Sequence, residues 1–141
     1  MEQDFSRRLV IVVRKDLEGW HIANTIAHIA AYIGNKLGST FGTGDFFNSK
    51  DGIKFPRNSQ YPIIIKRASS SEQLQNLAEK VRATSLMHLC FVREMIDYAS
   101  DDELQKSLGE KGTAEIELLG VGVFGPNEEV SSLTKKFGLW D

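Results

Sequence analysis

Cysteine occurs once in this sequence, at Cys90, and a single thiol closes no internal disulfide. A disulfide-stapled scaffold is therefore excluded, and a reducing compartment is expected. Long hydrophobic runs are also missing. Leu9–Val13 and Ile63–Ile65 are strand-sized, far below the roughly 20 apolar residues that span a bilayer. The opening Met1-Glu2-Gln3-Asp4 lacks the basic-then-apolar order of a secretory leader, so the expectation is a soluble, cytoplasmic chain with no membrane partner. No charge of one sign dominates, since the formal net charge is −2. That total hides an asymmetry: residues 1–67 carry ten Lys or Arg against six Asp or Glu, and residues 68–141 carry seven against thirteen. The basic surplus of the first half would give weak, salt-sensitive RNA binding, or else both halves simply present solvated faces. Glycine-rich phosphate fingerprints are absent too. Glu18-Gly19 supplies one glycine, and Gly42-Thr43-Gly44 reads as flexible loop, so no cofactor is expected.

What is present reads as an α/β domain. Leu9–Val13 is β-branched without alternation, the pattern of a strand covered on both faces. From Trp20 to Leu37, Ile22, Ile26, Ile29 and Ile33 recur at helical spacing. Ala23, Ala27 and Ala30 extend that buried face and would let the helix approach a sheet closely. Gly38 is a natural stop. Residues 38–60 show no clear period, and a loop of that length either hides a short helix or serves as a lid. Ile63–Ile65 reads as a second strand, entered through Pro62. Ser69 with Glu72, or Ser70 with Gln73, starts a helix that buries Leu74, Leu77, Ala78 and Val81. Leu86–Val92 is the third strand, Asp101–Leu108 a short amphipathic helix, and Ala114–Phe124 the fourth strand. Pro126-Asn127 opens a last helix with Val130, Leu133 and Phe137 inward and Gly138 as its stop. Strands alternating with helices predict one domain, a sheet sandwiched between helical layers.

Chemistry-bearing residues concentrate near the first strand and helix. On a 3.6-residue wheel His21, Asn24, Thr25 and His28 lie within about 100° of one another, and Tyr32 continues the stripe. Two imidazoles there would shuttle protons and Asn24 would bind a carbonyl or phosphate, if a loop such as Phe46–Phe55 roofs the face. The competing reading is a polar face in water. The histidines stand seven residues apart, roughly 10 Å along the axis, too far to share a metal ion, so no metal is expected. Arg14 and Lys15 end the first strand at the usual ligand edge of an open α/β sheet. They either grip an anion there, or Arg14 pairs with Asp16 or Glu18 and fixes the turn. Cys90, mid-strand between Leu89 and Phe91, reads as packing rather than as a nucleophile.

Three stretches carry a family resemblance. Val12-Val13-Arg14-Lys15-Asp16-Leu17, the helix segment His21–His28, and Leu119-Gly120-Val121-Gly122-Val123-Phe124-Gly125-Pro126 followed by Leu133-Thr134 together resemble type II peptidyl-tRNA hydrolases. The middle of the chain is similar to a related bacterial family of unknown function with the same fold. The residues that carry this are Trp20, Asp51-Gly52, Tyr61-Pro62-Ile63-Ile64-Ile65, and Phe91 before Glu94-Met95. The resemblance implies a three-layer α/β/α sandwich with a four-stranded mixed sheet, often a homodimer. It also implies a site that this chain alters. The hydrolases keep a lysine where His21 stands, and an aspartate-alanine-glycine-x-threonine segment after the third strand, where Val92–Asp97 has none. The expectation is a module that binds a small ligand or a partner and hydrolyses peptidyl-tRNA poorly or not at all. The alternative is a hydrolase working through His21, Asn24 and His28.

Overall fold

The computed structural model describes residues 3–141. Its main sheet has five strands: β1 (Arg7–Arg14), β4 (Ile63–Ala68), β5 (Met87–Val92), β6 (Leu118–Pro126) and β7 (Gly138–Leu139), in the order β5-β6-β1-β4-β7. β1 runs parallel to β4, with Leu9 opposite Ile63, and antiparallel to β6. A separate hairpin pairs β2 (Phe46–Asn48) with β3 (Lys54–Pro56). The five helices are α1 (Gly19–Leu37), α2 (Ser71–Arg82), α3 (Glu94–Asp97), α4 (Asp101–Gly109) and α5 (Asn127–Thr134).

β1 explains the architecture. Each of Leu9–Val13 is fully buried. The odd positions Leu9, Ile11 and Val13 pack with Ile29 and Ile33 of α1. The even positions Val10 and Val12 pack with Leu74, Leu77 and Val81 of α2 and with Val130 of α5. A strand with both pleated faces apolar needs cover on both sides, and helices supply it. α2 begins where capping chemistry predicts. Ser70 Oγ accepts from the Gln73 amide at 3.2 Å, and Gln73 Oε1 accepts from the Ser69 amide at 2.7 Å.

The expected count of four strands is corrected to five. Gly138 does not stop the last helix: α5 ends at Thr134, and Gly138 and Leu139 pair with Arg67 and Lys66 along the free edge of β4. The long loop resolves into a 3-10 turn over Gly38–Phe41 and the β2–β3 hairpin, whose Phe46, Phe47, Ile53 and Phe55 side chains stay exposed. The segment expected to begin the fourth strand, at 114–117, instead forms a 3-10 turn, Thr113–Glu115, followed by two residues that lead into β6.

The close approach of α1 to the sheet also has a different origin from the one its alanines suggest. Ala23 and Ala27 are exposed, while Thr25, Ile29 and Ile33 are buried. Room is made on the sheet side, by glycines of β6. A Cβ on Gly122 would stand 2.1 Å from Ile29 Cγ2, and one on Gly120 would stand 2.6 Å from Thr25 Cγ2. Gly122→Ala is therefore expected to overpack this contact and cost about 1–3 kcal/mol. The check is a chemical denaturation midpoint. Combined with Ile29→Ala, the two costs should add to less than their sum, because the second change vacates the space the first one needs. A Gly122→Ala protein as stable as the parent would show that α1 does not rest on this strand.

Candidate functional site

β1, β5 and β6 bring their charged residues together at one end of the sheet. At the end of β1, Arg14 donates to Asp16 from Nε at 3.0 Å and from a terminal nitrogen at 2.9 Å. The same guanidinium reaches the Leu118 carbonyl at 3.4 Å and stands 3.6 Å from Glu117. Glu117 immediately precedes β6, and its second oxygen accepts from Arg93 Nε. Arg93 in turn donates to His21 Nδ1 at 3.3 Å. One carboxylate thus links two arginines, and the second arginine touches the first turn of α1. A register shift between β5 and β6 at Phe91/Val92 sits beside this junction, the kind of irregularity that re-aims strand ends.

The chemistry of the cluster follows from its donors. A guanidinium has no acceptor, so His21 Nδ1 must be the accepting nitrogen and the ring proton resides on Nε2. Donating to Asp16 raises Arg14 above its ordinary value against the opposing effect of burial, and accepting from Arg14 lowers Asp16. Both groups stay ionised, and each satisfies the other. Trp20 meets the His21 ring edge-on, with centroids 3.9 Å apart.

Farther along α1, His28 stacks on Phe91 of β5 at 5.2 Å between centroids. This pair lines a cleft of about 310 Å³ with Tyr32, Met95, Tyr98 and Leu104; Leu89 and Asp101 complete the wall. The walls come from α1, β5 and the α3–α4 segment. Phe91 is buried as the floor, while Tyr32 and Tyr98 are open to water at the sides.

The expected site residues are therefore distributed, not gathered into one concavity. His28 lines the cleft, and His21 belongs to the charged cluster with Arg14. Lys15 is exposed, with no ion pair among the described residues. Asn24 is half-buried. Thr25 is fully buried beside Gly120, and its Oγ1 has no hydrogen-bond partner among the described residues. The Phe46–Phe55 segment does not roof this face. Phe41 packs on Tyr61 and Phe124, and Phe124 pairs with Leu9, so the hairpin emerges where β1 begins, at the opposite end from Arg14. The roof is the α3–α4 segment.

Sequence reasoning did not find Glu117 as the bridge or Glu94 as an anchor: the partners of Glu117 come from β1 and the end of β5, those of Glu94 from α4 and the turn after it, and only the folded chain brings them together. Burial raises the Cys90 thiol, which suits a packing residue. Among the described residues, no three His, Cys, Asp or Glu side chains are grouped to hold a metal ion. No helix among the described residues is long and apolar enough to cross a membrane.

Glu94 ties the roof down. It is 3% exposed at the start of α3, and it accepts from Lys111 and from Ser107 at 3.2 Å. Burial pushes its carboxyl upward, but Lys111, its own amide and Ser107 together outweigh burial, leaving it below its ordinary value of 4.5. Because the native value is depressed, this contribution is fully present above the unfolded value and is lost as pH falls through the native one. Glu94→Gln should lower the denaturation midpoint at pH 7. The gap to the parent should close as the pH falls below about 4.5. Equal midpoints at pH 7 would remove Glu94 as the anchor of the roof.

No curated protein matches the chain. Among solved structures, Atu0240, a protein of unknown function from Agrobacterium tumefaciens, superimposes with a TM-score of 0.83 at 17% identity, covering 98% of this chain and 100% of that one. The likeness establishes the shared fold. A family model for a protein of unknown function, DUF2000, matches residues 7–141, so it takes in every strand and helix of the sheet and the whole candidate site. The chain belongs to the DUF2000 family.

Proposed function

We propose that this protein is a small-ligand-binding module of the peptidyl-tRNA hydrolase II-like, three-layer fold, and that its ligand sits in the cleft between α1, β5 and the α3–α4 segment. The observation that carries this reading is the cleft itself: about 310 Å³ with a buried Phe91 floor, exposed Tyr32 and Tyr98 walls, and His28 and Asp101 as polar contacts. Pockets that bind small molecules combine mostly apolar walls with a few placed polar groups, commonly at about 300–1,000 Å³. A flat, largely apolar ligand fits these walls, with His28 fixing its orientation.

Binding is favoured over hydrolysis because of how the nearby charges are spent. Arg14 and Arg93 are both held by carboxylates, so neither offers a free positive charge to an anionic transition state. His21 lends Nδ1 to Arg93 and His28 lies flat on Phe91. The alternative, a hydrolase acting through His21, Asn24 and His28, requires all three on one substrate, and their neighbours hold the two histidines in separate places. The aspartate segment of the resembling hydrolases has no counterpart at Val92–Asp97. Catalytic groups of that kind act as a unit, so losing members removes most of the rate.

Two assays on the purified protein decide the matter. Indole, as an apolar aromatic probe, should shift the NMR signals of His28, Phe91, Met95 and Tyr98 saturably. Tyr98→Ala should weaken that binding by about tenfold, the order expected for losing one aromatic wall. Labelled peptidyl-tRNA should not turn over in the ordinary enzymatic range of about 1 per second or more. Turnover abolished by His21→Ala or His28→Ala would establish the hydrolase in place of the binding module.

A further inference from the structure

The opposite face of the sheet carries a second cavity, of about 250 Å³, between α2 and the end of α5. Its floor is apolar: Leu77 is buried, and Leu133 and Phe137 are half-buried. Its rim carries two cations and two side-chain amides. Lys80 comes from the last turn of α2 and Lys136 from just beyond α5, and both line the same cavity. Gln73 and Asn76 complete it. Gln73 Oε1 is already used by the Ser69 amide, which leaves its NH₂ group as the free end.

No carboxylate lines this cavity. Glu79 shares a neighbouring hollow with Lys80 and Lys136. Among the described residues, however, neither lysine enters an ion pair. The C-terminal ends of α2 and α5 attract the two lysines. Each end amounts to about half a negative charge, so together they offset about one of the two positive charges and leave a surplus. Two cations facing one apolar hollow without a counter-charge are complementary to an anion that has an apolar body. The volume lies just under the range of about 300–1,000 Å³ for drug-sized ligands, so the occupant is a small molecule.

We infer that this groove is a binding site for a small amphipathic organic acid. Its carboxylate lies between Lys80 and Lys136, and its apolar part rests on Leu77, Leu133 and Phe137. The site is separate from the α1 cleft and opposite to it in polarity, since that cleft contains Asp101 and neither of these lysines.

The test is an NMR titration of the full chain with phenylacetate, acetate and phenylacetamide. Phenylacetate should give saturable shifts confined to 73–80 and 133–137. Acetate lacks the apolar body and phenylacetamide lacks the charge, so each should bind at least about tenfold more weakly. The Lys80→Gln, Lys136→Gln double variant should lose phenylacetate affinity by at least about tenfold while keeping its melting temperature, because both side chains are solvent-facing. Several results would overturn the inference: no saturable shift with phenylacetate, equal binding of phenylacetamide or of acetate, shifts at His28 and Phe91 instead, or undiminished binding by the double variant.

Discussion

Five consecutive residues of β1, Leu9 to Val13, have no contact with solvent, and the rest of the molecule is arranged to make that so. An apolar strand with both faces buried must be central, paired on both edges, and covered above and below. β4 and β6 take the edges, α1 takes one face, and α2 with α5 takes the other. The polar residues that follow, Arg14 to Asp16, then leave the core at one defined end of the sheet. The site has its location because β1 is hydrophobic, before any ligand is considered.

At that end the chain uses its charges on itself. Glu117 serves both Arg14 and Arg93, Asp16 completes Arg14, and Arg93 reaches His21. Such a network fixes β1, β6, the end of β5 and the start of α1 relative to one another. It also occupies both guanidiniums, the groups best suited to stabilise a phosphorylated or acyl substrate, and leaves Lys15 as the exposed cation at that end. The cleft proposed for a ligand is the aromatic one beside it.

Much of this was legible from the residues. Unbroken β-branched runs gave β1 and β4, helical spacing gave α1 and α2, and Ser70 with Gln73 gave the start of α2. Features that depend on partners distant in sequence were not. Gly138–Leu139 is two residues long, too short to carry a strand pattern, and its glycine reads equally well as a helix stop. Phe46–Asn48 and Lys54–Pro56 are three-residue strands with no apolar alternation. The seating of α1 depends on Gly120 and Gly122, whose role as space for Thr25 and Ile29 exists only once β6 lies under the helix. His21, Asn24, Thr25 and His28 all lie on α1. Which of them faced water, cleft or core was set by β5 and β6. The Arg93–Glu117 pair joins residues 24 apart through a shifted register, and no local spacing encodes it.

The two arginines at the end of the sheet are already held by carboxylates. The most direct measurement follows the Nε–H signals of Arg14 and Arg93 by NMR while inorganic phosphate is added, in the parent and in Glu117→Gln. Phosphate should leave both signals unmoved in the parent, and Glu117→Gln should shift the Arg93 signal and make it respond to phosphate while Arg14 stays on Asp16. A saturable response of either arginine in the parent protein would contradict it, because that arginine would then be free to hold an anionic substrate.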